Sequence, residues 1–252
     1  MELRRLGAVT AALAVVLVGC GTDRDAGDAP SDATPEAPTV GLPAFTSVPP
    51  PSATTGTGPI TDNALLAGRL LSIADLPPGY TGYDLPPLDP SAPGATAEDR
   101  SSTDPAECAA VLAPIATQVP GVISAASVSY GGPDFSSIDQ DAASYDGPGA
   151  LTAFAAVQDS LARCATFSGT DADGVRVDYR VGSSTLLTDV PPIGDASVAV
   201  RLAVSSDGVS LTTDAILTVS GSTLTQLVAT GTEPVDPDLV RTLARTAADR
   251  LR

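Results

Sequence analysis

The sequence predicts an α+β fold, a twisted antiparallel sheet packed against several helices, including one at the C-terminus. Three observations lead there. Segments of the second half alternate apolar and polar residues with a period of two. Short turn pairs, Asp207-Gly208 and Gly221-Ser222, separate them. Two longer segments instead repeat apolar residues at spacings of three and four, the helical pattern. Half-buried strands joined by tight turns pair antiparallel, and their buried face needs a helical cover.

The first element is a leader. Arg4 and Arg5 precede an apolar stretch from Leu6 to Val18, shorter than the roughly 20 residues a membrane-crossing helix needs. This is the layout of a secretory signal over residues 1–19. Its end, Leu17-Val18-Gly19-Cys20, resembles the lipobox of bacterial lipoproteins. That resemblance implies cleavage before Cys20, a diacylglyceryl group on its sulfur and an acylated, palmitate-bearing amino end. An ordinary signal peptide with an incidental cysteine is the competing reading. Two or three acyl chains hold a protein at a membrane where one holds weakly. The chain is therefore expected at the extracytoplasmic face of the cell membrane.

Residues 20–60 carry eight prolines and almost no large apolar groups. Nothing there repays the entropy of ordering, so a disordered stalk is expected. A single domain follows over residues 61–252, within the usual size range. In TDNALLAGRLLS, Leu65, Leu66, Leu70 and Leu71 make an apolar face of a short helix. Six prolines from Pro77 to Pro93 then enforce a long loop. DPAECAAVLAPI reads as a helix with Asp104 as cap, Pro105 in first position and Glu107 completing the spacing. Cys108, Val111, Leu112 and Ile115 share its apolar face, and Pro114 kinks or ends it. In GALTAFAAVQDSLARC, Leu151, Phe154, Val157, Leu161 and Cys164 recur on one helical face.

Strands come next. Val175, Val177, Tyr179 and Val181 alternate with Arg176, Asp178 and Arg180; Val198, Val200, Leu202 and Val204 repeat the pattern, and AILTVSGSTLTQLVAT makes a further hairpin. The last segment begins at the capping Asp236 and Pro237 and lines Val240, Leu243, Ala247 and Leu251 along a helix face.

With Cys20 assigned to lipid, Cys108 and Cys164 remain, an even pair in an oxidising compartment. Each sits on the apolar face of its own helix, so a disulfide would staple the two together. Two free buried thiols are the alternative.

The chain has no Lys and no His, and its formal net charge is −17. That balance excludes nucleic acid as a partner, since phosphate backbones need cationic contacts. Without His, a Ser-His-Asp or Cys-His site cannot be built. Without Lys, Schiff-base and Ser-Lys chemistry are closed. Hydrolysis by paired carboxylates survives that sweep, but a chain with no Trp, four Phe and five Tyr offers little sugar-stacking surface. No enzymatic activity, cofactor or metal is expected. Asp171-Ala172-Asp173-Gly174 begins like a calcium loop, yet Gly182 stands where the bidentate Glu belongs, so a turn is predicted. Asp139 and Asp141 are read in the same way.

Candidate ligand-binding residues are the tyrosines of the proline-rich loop, Tyr80 and Tyr83, with Tyr130 and Tyr145 facing the same region. Tyrosine offers large contact area and a hydroxyl at low rotamer cost. Arg176, Arg180 and Arg201, on polar strand faces, are candidates for an acidic ligand, with cross-strand ion pairing as the plainer alternative.

Taken in order, LLSIADLPPGY, a Cys in an early helix, a helix ending at Cys164, a strand meander and a terminal helix resemble the extracellular sensor domain of PknH-type receptor kinases. The same domain occurs in actinobacterial lipoproteins. The resemblance covers residues 64–252. It implies an α+β fold with a cleft for an unidentified small ligand or envelope component; a structural or accessory protein-interaction module without a small-molecule ligand is the competing reading. Kinase members carry two disulfides, and this chain has cysteines for one.

Overall fold

The computed structural model describes residues 41–56, 58–83 and 101–252; the leader, Cys20 and the first half of the expected stalk lie outside them. Gly41–Arg252 form one compact unit. In chain order its elements are α1 (Asn63–Ala67), β1 (Thr81–Tyr83), β2 (Ser102–Asp104), α2 (Ala109–Leu112), α3 (Ile115–Gln118), β3 (Val122–Gly131) and β4 (Ser137–Tyr145). Then come α4 (Gly149–Arg163), β5 (Thr166–Thr170), β6 (Arg176–Ser183), β7 (Ala196–Ser206), β8 (Val209–Ser220), β9 (Thr223–Gly231) and α5 (Pro237–Arg250). All nine strands join one antiparallel sheet in the order β1-β3-β4-β9-β8-β7-β6-β5-β2. The expected fold class is the observed one.

The alternating segments are strands β6, β7, β8 and β9. Asp207 and Gly208, both with positive φ, make the hairpin turn between β7 and β8. The central strands are buried on both sides: Val198 and Val200 join the core on one face, while Ala199 and Ile216 join the core on the other. We call the first the front face; α2, α3 and α4 cover it. Phe154, Val157 and Leu161 of α4 pack there, as the helical spacing predicts. The back face receives α5, whose Val240, Leu243 and Ala247 are fully buried. Asp236 caps α5 by accepting from the Asp238 amide at 3.0 Å. Its far end is tied down by a fork: Arg250 donates to Asp75 at 2.8 and 2.6 Å and to the Leu70 carbonyl at 2.9 Å.

Three local expectations are corrected. Asp104 does not cap a helix; it ends β2, and the Asp104–Pro105 bond is cis. The segment after it is a 3-10 turn over Ala106–Cys108 followed by two one-turn helices, separated at Pro114 because proline lacks the donor a continuing helix requires. Leu65 is 66% exposed, since α1 ends at Ala67 and only Leu66 turns inward.

Residues 41–60 are not a stalk. The described ones, 41–56 and 58–60, form a strap within the compact unit: the Val48 amide donates to Gln158 Oε1 at 2.7 Å and Gln158 Nε2 donates back to the Val48 carbonyl at 3.1 Å. Ser183 N donates to the Pro43 carbonyl at 3.0 Å, Thr55 N to Asp195 at 3.1 Å, and Ile60 N to Ser144 Oγ at 2.9 Å. Gly182 permits this approach, because a Cβ there would collide with the Pro43 carbonyl. Composition failed here because backbone hydrogen bonds and one aromatic, Phe45, hold the strap without many large apolar residues.

Cys108 and Cys164 form a disulfide with a Cα–Cα separation of 5.7 Å. It joins the turn preceding α2 to the C-cap of α4 and seals both into the front core. Reduction, or replacement of either cysteine by serine, is expected to destabilise the unit by about 2–5 kcal/mol. Urea unfolding with and without reductant measures this, and unchanged midpoints would contradict it.

Candidate functional site

The front face is covered unevenly. α4 lies over β4, β9 and β8, at the end of the sheet nearest the β8–β9 turn. Beyond its edge a cleft of about 280 Å³ opens between the sheet, α4 and the α2–α3 segment. Register explains its floor. Asp141 of β4 pairs with Gln226 of β9, which pairs with Leu217 of β8. One row along, Asp139 pairs with Val228, Val228 with Ala215, and Ala215 with Val200. Side chains two apart on a strand share a face, so these rows form one surface. Val157 and Leu161 make the α4 wall, and Val111 to Pro114 with Gln118 make the rim. The result is a mainly apolar trough whose two carboxylates both stand on β4.

The two carboxylates there differ. Asp139 accepts hydrogen bonds from the hydroxyls of Ser129 and Ser137, the latter at 2.9 Å. Asp141 accepts none from the described residues. Burial, and secondarily the charge of Asp139, push its pKa up to about 6. Among the described residues no group of three His, Cys, Asp or Glu could hold a metal ion. The trough can therefore enclose an apolar body and present oxygen acceptors to one end of it.

None of the seven residues singled out for ligand binding lines this cleft. Tyr130 and Tyr145, expected beside Tyr80 and Tyr83 at a surface, are core side chains, 7% and 1% exposed. Tyr130 donates to the Leu71 carbonyl at 2.7 Å on the back face, and burial raises its pKa. Tyr145 sits under the front helices with a hydroxyl that has no partner among the described residues, and burial pushes its pKa to about 12. Tyr80 is half-buried against Gly132, and Tyr83, 59% exposed, lies over Gly131. Arg176 pairs with Asp178 on its own strand at 2.7 Å, in solvent. Arg201 forks onto its cross-strand partner Asp214 at 2.9 and 2.6 Å, with Ser184 adding a hydroxyl donor at 2.7 Å. Arg180 is exposed, with no ion pair among the described residues. The Asp171 carboxylate caps its own turn, accepting from the amides of Asp173 and Val175 at 3.0 and 2.8 Å.

Asp139 and Asp141 are corrected from turn residues to strand residues. The signal lay in SIDQDAASY: a strand with acids at alternate positions puts charge on a face that the next alternating positions, Ala143 and Tyr145, bury.

The fold resembles that of a solved structure. The extracellular domain of PknH from Mycobacterium tuberculosis superposes with a TM-score of 0.57 at 13% identity, over 78% of this chain and 98% of that one. An uncharacterized protein from Mycobacterium smegmatis, an Rv0999 ortholog, matches with a TM-score of 0.41 at 17% identity, over 76% and 97% of the two chains. No family model matches the sequence, and neither does a curated protein. The PknH likeness is one of fold. No helix among the described residues is long and apolar enough to cross a membrane.

Two outcomes follow from the buried polar groups. Tyr145→Phe should be neutral or stabilising, whereas Tyr130→Phe should cost about 1–2 kcal/mol because the Leu71 carbonyl loses its donor; thermal melts of the two variants give the contrast. For Asp141, a folded-state pKa raised above the unfolded value of 3.8 means that folding takes up a proton between those values. Its destabilising effect is absent well below pH 4 and complete above about pH 6. Asp141→Asn should therefore raise stability by about 1–3 kcal/mol at pH 7.5 and by little at pH 4. Equal effects at both pH values would contradict the assignment.

Proposed function

We propose that this chain is an extracytoplasmic binding protein, held at the membrane through acylated Cys20, whose front-face cleft receives a small and mainly apolar ligand. One observation carries the proposal: the trough of about 280 Å³ is lined mainly by apolar side chains, Val157, Leu161, Leu202 and Leu217 among them, with both of its carboxylates on β4. Binding sites share that composition, a mostly apolar lining with a few placed polar groups, and the volume stands just below their usual range of roughly 300–1,000 Å³, which fits a small ligand. The anchor rests on the lipobox-like end of the leader and the oxidised cysteine pair agrees with an oxidising compartment. The fold shared with an extracellular domain supports the same location.

A second reading, a protein-interaction module, draws on a different place. Phe135 is 83% exposed on the turn between β3 and β4, and Tyr83 lies on the neighbouring edge strand. Exposed aromatics of this kind favour association with a protein. The cleft is the better-formed feature and is preferred.

Native mass spectrometry of the full chain, purified from a membrane fraction, tests the proposal. The protein mass should begin at a lipid-modified Cys20, and a small molecule should accompany it. Val228→Trp, which fills the cleft floor, should remove that companion without changing the protein's modification. A wild-type chain free of any bound small molecule would favour the interaction module.

A further inference from the structure

We infer that the cleft selects amphiphiles with a cationic head, an ammonium or amidinium group seated at Asp139 and Asp141 with its apolar chain along the floor. This rests on the cleft being a binding site and names its ligand class. Charge complementarity carries it. The two carboxylates stand two residues apart on β4, about 7 Å from Cα to Cα, and both belong to the cleft lining. Among the described residues no Arg lines the cleft, and the chain has no Lys, so no described cation there would compensate an anionic head. The other polar lining groups are Gln118, Gln226 and Thr213, all neutral, so among the described residues Asp139 and Asp141 are the titratable groups facing the cavity from the elements around it.

Within this unit the contrast with other acids is informative. Asp75 and Asp214 are each forked by an arginine. Asp139 is oriented by two hydroxyls, while Asp141 has no hydrogen-bond donor among the described residues. A carboxylate partly withdrawn from water beside a second one is unfavourable until a cation arrives. A cationic head supplies what the protein leaves out, and its tail covers the apolar floor made by Val200, Leu202 and Ala215. The net charge of −17 also draws cations toward the molecule before they dock.

The test uses the full chain and three probes of equal chain length: hexylamine, hexanol and hexanoate. Isothermal titration at pH 7.5 should rank hexylamine first and hexanoate last. Asp141→Asn should weaken hexylamine at least about tenfold while leaving hexanol within about twofold. Hexylamine binding should also weaken as pH falls through about 6, where Asp141 takes up its proton, and hexanol should show no such loss. Equal binding of hexanol and hexylamine, indifferent to Asp141→Asn, would overturn the cationic class and leave the cleft as an apolar site. Hexylamine binding that survives Val228→Trp undiminished would place it on the acidic surface and overturn the inference. Absence of binding by all three probes would remove the binding site itself. The Asp141→Asn comparison stands whether or not Val228→Trp folds, because asparagine preserves the shape of the side chain.

Discussion

The width of the sheet is the constraint on which the rest of the structure depends. Nine strands spaced at about 4.8 Å span about 38 Å, while one helix with its side chains covers about 10–12 Å. The inner strands β7, β8 and β9 are apolar on both faces, so both faces need cover. On the back face α5 shares the task with the turn around Leu186 and with Leu71 and Leu76. On the front face α4 covers one end, and the short α2 and α3 reach only part of the remainder. An uncovered apolar surface beside a helix edge is a trough. The cleft is thus a consequence of how much helix the front face receives, and the disulfide keeps what it receives in place.

Charge is distributed in keeping with that asymmetry. Arg201 with Asp214, and Arg250 with Asp75, are forked pairs in partly buried settings, where a guanidinium and a carboxylate match in geometry and satisfy each other's donors and acceptors. Such pairs fix strand register and the end of α5. The acids of the front face lack this treatment. Asp141 remains without a donor among the described residues, with its pKa displaced upward by burial. Displaced values concentrate where a group serves something other than stability. An acid whose neutralisation would stabilise the fold is easier to understand in a site than in a scaffold.

The strap adds a second dependence between sequence-distant parts. Gln158, on α4, exchanges hydrogen bonds with both backbone groups of Val48, although the two residues are separated by 110 positions. Phe45 packs on the same core as α4. The strap therefore helps hold the helix that forms one wall of the cleft.

Local order was legible in the sequence wherever one periodicity dominated. The alternation of β6 to β9, the spacing of α4 and the capped start of α5 all appear in the linear pattern, because each is set by residues a few positions apart; the cysteine pair was legible by count and helical face, although its members stand 56 positions apart. β3 and β4 were not legible: in ISAASVSY, alanine and serine occupy both faces, Ala125 toward one core and Ala126 toward another, so no alternation survives. The two faces accept small residues there because helices press closely on each, which is a property of packing. The cap at Asp104 failed for a similar reason, since pairing of Thr103 with Gly169 of β5 draws that segment into the sheet. The site itself depended wholly on tertiary structure. Tyr130 and Tyr145 carry the residue type of a binding surface and are buried, whereas Asp139 and Asp141 looked like turn residues and line the cleft. Which side chains meet across β4, β9, β8 and β7 is decided by register between strands distant in sequence. Periodicity tells a side chain which face to take; only pairing decides what else stands on that face.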